Sequence, residues 1–155
     1  MAQKNVLNPE SQKKTVASLQ AVLTDLLHLA MQFKQAHWNV RGKQFRSVHL
    51  QLDEIIDDAR LAADEVAERI VTLNEASDGR PSTIAETSTL EVFPAGFVRT
   101  DQVTQLAADR LLSTIQAIRK GIDTVGDLDP ISEDLLIGIS AKLEKHLWMV
   151  QSQNE

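Results

Sequence analysis

Four stretches of this chain repeat apolar residues at helical spacing, and the links between them run short, long, short. Asn8 can cap the first, with Pro9 at its opening position and Glu10 at its positive end, after which Val16, Leu19, Val22, Leu23, Leu26, Ala30 and Phe33 recur on one side. This helix is expected over about 9–40, stopping at Arg41-Gly42. The second, over about 46–75, carries the stripe Leu52, Ile55, Ile56, Ala59, Ala63, Val66, Ile70 and Leu73 before Ser77-Asp78-Gly79-Arg80-Pro81 breaks it. Residues 77–100 hold Pro81, Pro94 and Gly96, with room for a short helix near Thr83 to Thr89. The third long helix should then start after Thr100 as its cap and end around Gly121 to Gly126. Asp129 caps and Pro130 opens a fourth, which runs through Leu135, Leu136, Ile139, Leu143, Leu147 and Val150 almost to the C-terminus.

Short links inside each pair and a link of about 20 residues between the pairs describe two antiparallel hairpins joined by one crossover. The expected fold class is therefore all-α: a ferritin-like four-helix bundle whose long crossover carries a short helix between helices 2 and 3. A chain of 155 residues suffices for one core, so residues 1–155 are expected to form a single domain, with 1–8 as a short N-terminal tail. Only 4% of residues are aromatic, which leaves little to build a sheet from. The N-terminus lacks the apolar centre of a signal peptide, and no stretch reads as a membrane span of about 18 apolar residues. A soluble, cytoplasmic protein is expected, with nucleoid association as a variant of that location. The net charge of −6 argues against wrapping nucleic acid by bulk electrostatics.

Cysteine is absent, so any metal must take imidazole and carboxylate. Internal di-iron sites in such bundles use Glu-x-x-His on two helices, and none of the four histidines has Glu three residues before it. Asp25-x-x-His28 is the nearest imitation, but His28 points about 180° away from His37 around the helix and is expected to be structural or exposed. On helix two, His49 and Asp53 are four residues apart, as are Asp64 and Glu68. With His49 at zero, Asp53, Asp64 and Glu68 lie at about 40°, 60° and 100°, whereas the apolar stripe centres near 270°. The two pairs share a face directed away from the core, yet are separated by about 22 Å along the helix. One chain cannot close such a site. An antiparallel copy crossing near Asp58-Ala59 would set His49 and Asp53 opposite Asp64 and Glu68 of its mate, twice, with His37 adding a third ligand on the His49 side. Solvated surface acids and helix-end histidines are the plainer explanation for each residue alone, and the shared face is what favours a site. These donors suit Fe(II); Zn(II), Mn(II) and Co(II) would also fit.

At these residues the chain resembles a known family. The run KQAHWNVRG, the V-H-x-x-x-D of Val48 to Asp53, the D-E-x-A-E-R of Asp64 to Arg69 and the closing KLEKHLWMVQS of Lys142 to Ser152 are similar to Dps, the DNA-binding protein from starved cells, a mini-ferritin. The resemblance covers nearly the whole chain. It implies that His37, His49 and Asp53 of one subunit face Asp64 and Glu68 of its two-fold mate as a ferroxidase centre. It further implies a hollow homo-dodecamer that oxidises Fe(II), preferentially with hydrogen peroxide, and stores ferric mineral, protecting the cell from oxidative damage. Trp38 matches a family tryptophan near the centre, for which electron donation and packing are both open.

Acidic residues near the turn between helices three and four line three-fold pores in that family. Here Asp123, Asp127 and Asp134 are the pore candidates, while Asp129 and Glu133 also suit the start of a helix. The competing function is a nucleoid-compacting DNA-binding shell. Family members that compact DNA use basic mobile tails, whereas here only Lys4 precedes the Asn8-Pro9 cap and Gln151 to Glu155 carries no cation. Lys13 and Lys14 form a local basic patch on the first helix. Weak or absent DNA binding at physiological salt is therefore expected.

Overall fold

The computed structural model describes residues 4–153, so the last two residues of the C-terminal tail and the first three of the N-terminal tail lie outside it. In chain order the elements are α1 (Pro9–Asn39), β1 (Val40–Arg41), α2 (Phe45–Thr72), α3 (Pro81–Thr87), β2 (Val98–Arg99), α4 (Thr100–Val125) and α5 (Pro130–Gln151). α1 packs along α2, α4 along α5, and α1 against α4, giving the all-α bundle with the short helix in its crossover. Asn8 caps α1 as its sequence position suggests, its side chain accepting from the Ser11 amide at 2.9 Å.

The inward stripes meet in one cluster in which Leu19, Leu26, Phe33, Ile55, Ala59, Val66, Leu111, Ile118 and Leu136 lose essentially all contact with solvent. α1 does contain a window long and apolar enough for a membrane span, contrary to the sequence-based expectation, but more than half of it is buried inside the bundle.

Several boundaries differ from those expected, each for a local reason. α1 ends at Asn39 because Val40 and Arg41 leave the helix to pair in parallel with Val98 and Arg99, a miniature sheet that no periodicity announces. Gly42, at φ +128°, lets the turn press on α4: a Cβ there would lie 3.0 Å from Thr100 Oγ1. Thr100 is consequently the first residue of α4, with Arg99 in the capping position. α2 stops at Thr72, ahead of Asn74 in the left-handed region. α3 opens on Pro81 rather than near Thr83. α4 ends at Val125 with Gly126 in the capping position, inside the range expected, and Gly121 within it is a contact point where a Cβ would meet Leu136, Ser18 and Val22. Asp129 holds the capping position of α5, but its carboxylate is committed elsewhere. Buried at that corner, it accepts from Arg69 Nη2 at 2.7 Å and from the Ser132 hydroxyl, tying the end of α2 to the start of α5. Burial pushes the Asp129 carboxyl up, and the Arg69 and Ser132 bonds outweigh it to leave the group below its ordinary value.

The crossover is latched from both sides. Buried Asp25 accepts from the Ser88 hydroxyl at 2.8 Å, the Thr89 amide at 2.9 Å and the Thr89 hydroxyl at 2.7 Å. His28 extends this chain: its Nδ1 lies 2.7 Å from Ser88 Oγ, whose proton is given to Asp25, so Nδ1 is the donor and Nε2 receives the Gln32 amide at 3.0 Å. Burial lowers the His28 pKa despite the nearby Asp25 charge, and with both ring nitrogens engaged the histidine is structural. Across the bundle, buried Arg110 donates to the Glu91 carbonyl at 2.7 Å, and Phe93 meets Phe33 edge-on at 6.4 Å.

Removing Asp25 orphans three donors that face a buried acceptor. Asp25→Ala is expected to weaken the latch by about 3 kcal/mol. Amide hydrogen exchange should accelerate by about a hundredfold over Ile84 to Leu90 while the centre of α1 stays protected. Unchanged exchange in the crossover would show that the latch is not carried by Asp25.

Candidate metal centre

The turn between α1 and α2 is short, so the end of one helix and the start of the next stand side by side. His37, in the last turn of α1, and His49, in the second turn of α2, stack with ring centroids 3.6 Å apart and planes 22° from parallel. Two hydrogen bonds fix the pair reciprocally: His37 Nδ1 to the His49 carbonyl at 3.0 Å, and His49 Nδ1 to the His37 carbonyl at 2.9 Å. A carbonyl can only accept, so each neutral ring carries its proton on Nδ1 and keeps its lone pair on Nε2. That leaves Nε2 of each ring as the nitrogen able to ligate a metal, with the ring oriented by the backbone.

Asp53, one turn after His49, completes a group in which one ligand atom from each of His37, His49 and Asp53 lies within 4.8 Å of the others. His37 is 7% exposed, whereas His49 and Asp53 are half-buried, so the group faces outward from a closed side. Phe45 packs over His49 with ring centroids 5.0 Å apart.

A residue that the sequence spacing did not single out also reaches this group. Lys34, one turn before His37, donates to Asp53 Oδ1 at 2.7 Å, while His37 Nδ1 lies 3.2 Å from the same oxygen. The Lys34 hydrogen bond holds the Asp53 carboxyl below its ordinary value; partial burial opposes this, and attraction to His37 when that ring is protonated, to the Lys34 charge and to a protonated His49 reinforces it. A depressed folded-state pKa means that the stabilisation exists above the unfolded value and is lost only as pH falls through the folded one, so Asp53 is anionic throughout the neutral range. Lys34 thus sets a fixed positive charge on one oxygen of the carboxylate in this group. Its signal in the sequence was the i, i+3 spacing to His37.

Asp64 and Glu68 are not part of this group. Both are exposed, further along the same unbroken α2 and separated from the His49–Asp53 pair by about 22 Å at 1.5 Å per residue. Trp38 is 66% exposed, so its own chain does not pack the ring. Asp123, Asp127 and Asp134 are exposed around the α4–α5 corner. A second imidazole–carboxylate pair, His146 Nε2 and Asp58 Oδ2 at 2.7 Å, joins α5 to α2 with Lys142 alongside at 3.3 Å. Asp58 lies beside the point at which a second helix was expected to cross.

The model of the ferritin-like domain matches residues 16–155, so the chain belongs to the ferritin-like class. Within that class the chain belongs to the Dps family, the DNA-protection-during-starvation proteins. It is 36% identical over 143 residues to DNA protection during starvation protein 2 of Deinococcus radiodurans, covering 92% of this chain and 59% of that one. It is 38% identical over 135 residues to the fine tangled pili major subunit of Haemophilus ducreyi, covering 87% of this chain and 71% of the relative. The fold superposes on a Dps structure from Mycobacterium smegmatis with a TM-score of 0.93 at 31% identity, over 99% of this chain and 94% of the other.

Replacing Lys34 with Met keeps the stem and removes the competing cation. Titration of the metal-free protein with Co(II) at pH 7 should show Lys34→Met binding about fivefold more tightly, the effect of losing roughly 1 kcal/mol of local repulsion. Equal or weaker Co(II) binding would show that Lys34 supports the site rather than competes for it.

Proposed function

We propose that this protein oxidises Fe(II) at centres shared between two copies of the chain, with hydrogen peroxide as the preferred oxidant, and retains the ferric product as mineral inside a hollow homo-dodecamer. The observation that supports this most directly is the half-built site: three ligands gathered at one end of α2, and two further carboxylates exposed on the same helix beyond reach. Two-fold symmetry is the simplest operation that brings Asp64 and Glu68 of a mate to His37, His49 and Asp53, and it does so twice per dimer.

Fe(II) is the substrate. Two ferrous ions each give one electron to one peroxide; the O–O bond breaks, two protons are taken up, and two waters and two ferric ions result. Pairing the electrons avoids the hydroxyl radical that a one-electron reduction of peroxide releases. Asp53 and Glu68 contribute most of the negative charge that favours the ferric state, Asp64 adds a carboxylate acting through water, and His37 and His49 restrain affinity while tuning the potential. Trp38, open beside His37, is placed either to donate an electron or to pack against the mate. Asp123, Asp127 and Asp134 form the acidic entry for iron, since a ring of like acids concentrates cations. Exchange of Asp127 and Asp134 for Asn in an intact shell should slow iron uptake and flatten its salt dependence; unchanged uptake would remove them from the route. DNA is bound weakly or not at all at physiological salt, because a shell carrying −6 per chain repels a polyanion.

Sharing of the centre is tested by complementation. His49→Ala/Asp53→Ala and Asp64→Ala/Glu68→Ala should each be inactive in ferrous oxidation by peroxide. Allowed to exchange subunits at equal amounts, they should recover about a quarter of the native activity, because half of the dimers are mixed and each of these has one of its two centres intact. Verified mixed dimers with no recovery would contradict a two-fold site.

A further inference from the structure

The α1–α2 turn has a second side, away from the histidines. In the two-residue sheet, Val40 pairs with Val98 facing inward and Arg41 pairs with Arg99 facing solvent. Two arginines thus stand in register on neighbouring strands, which run about 4.8 Å apart. Like charges placed directly opposite one another are destabilising, and nothing in the bundle core requires arginine at either exposed position. Lys43 and Arg46 follow in the turn and at the start of α2, bringing four cations to this side of the turn, with Asp101 the acid beside them among the described residues, in a chain of net charge −6. Among the described residues, Arg41, Lys43 and Arg46 form no ion pair, and Arg99 has only the solvent-exposed Asp101, at 3.2 Å. Arg41 lies 3.1 Å above the Phe97 ring, a stack that uses the face of the guanidinium and leaves its N–H edge to donate. Beside this pair opens a cavity of about 540 Å³ lined by Lys43, Gln44, Arg99, Thr100 and Asp101 among others.

We propose that Arg41 and Arg99 form a binding site for a small dianionic oxyanion, with free orthophosphate as its ligand. Two guanidinium forks on adjacent strands can each donate to one tetrahedral anion, and a dianion removes the repulsion that their register creates. Lys43 and Arg46 raise the local potential without being needed for contact. The stacked Phe97 ring keeps Arg41 from folding back along the surface. A free anion is favoured over a nucleic-acid phosphate because the positive charge is confined to a small patch, whereas the 22 acids of each chain repel a long polyanion.

The test is equilibrium dialysis of radiolabelled orthophosphate against the full-length, metal-free protein, followed by the same measurement on variants. Saturable binding is expected, weakened about tenfold or more in Arg41→Gln/Arg99→Gln and less in Arg41→Lys/Arg99→Lys, which keeps the charge but loses the fork. Lys13→Gln/Lys14→Gln, on another face, should bind as the native protein does. Helical content and assembly size report whether the double variant is folded. If it is not, Arg99→Gln and competition by sulfate against chloride at equal ionic strength decide the matter, since a built oxyanion site is displaced by sulfate and simple screening by either salt. No saturable binding, undiminished binding in the folded double variant, or equal displacement by chloride would overturn the proposal. So would a short DNA duplex held through Arg41 and Arg99 by a protein that does not take up free phosphate, which would assign the patch to nucleic acid.

Discussion

Two hydrogen bonds running in opposite directions, from each histidine ring to the backbone carbonyl of the other, join the end of α1 to the start of α2. The bond to His37 supplies a carbonyl in the closing turn of α1, where helical partners run out, and together the two fix the imidazoles face to face with, among the described residues, no hydrogen-bond partner on their second nitrogens. Everything at the candidate centre follows from this closure. The rings are held by main chain rather than by flexible partners, so the group would have little freedom to lose on taking up a cation. Asp53 joins it because helical spacing returns the chain to the same face one turn later.

The hairpin that carries this pair is braced at both ends of the bundle. At the turn, the β1–β2 pairing and the Gly42–Thr100 contact draw the crossover and the start of α4 against it. At the far end, the Arg69–Asp129 pair, its carboxylate buried, binds α2 to α5. Breaking such a pair from one side would leave an uncompensated buried charge, so the corner is held in one arrangement. Between them, Asp25, His28 and Arg110 fasten a crossover that has little regular structure of its own. Charge is distributed unevenly along this frame. Cations gather at the α1–α2 turn, whereas Asp123, Asp127, Asp129, Glu133 and Asp134 collect around the α4–α5 corner.

The bundle was legible because its signals are local and repeated: Leu52, Ile55, Ile56, Ala59 and Val66 recur at helical period and all lie in the core. The grouping of His37, His49 and Asp53 was legible for the same reason, since a tight turn and one i, i+4 step decide it. Residues whose roles depend on distant partners were not. Asp129 looked like a helix cap, but its carboxylate serves Arg69, 60 residues away. The parallel pairing of Val40–Arg41 with Val98–Arg99 leaves no periodic trace in two-residue strands. Lys34 was visible only as one cation on an amphipathic helix. Its contact with Asp53 depends on how α1 and α2 are apposed, not on either helix alone.

The central claim is that one chain holds half of an iron centre and its two-fold mate holds the other half. Its most direct test is anomalous diffraction at the iron edge from crystals of the assembled protein loaded with Fe(II) without oxygen. The account predicts an iron peak about 2 Å from ligand atoms of His37, His49 and Asp53 or of the partner subunit's Glu68, with both sets of residues lining the same pocket. Iron held by the three residues of one chain with no partner carboxylate nearby, or bound elsewhere on the protein, would contradict it.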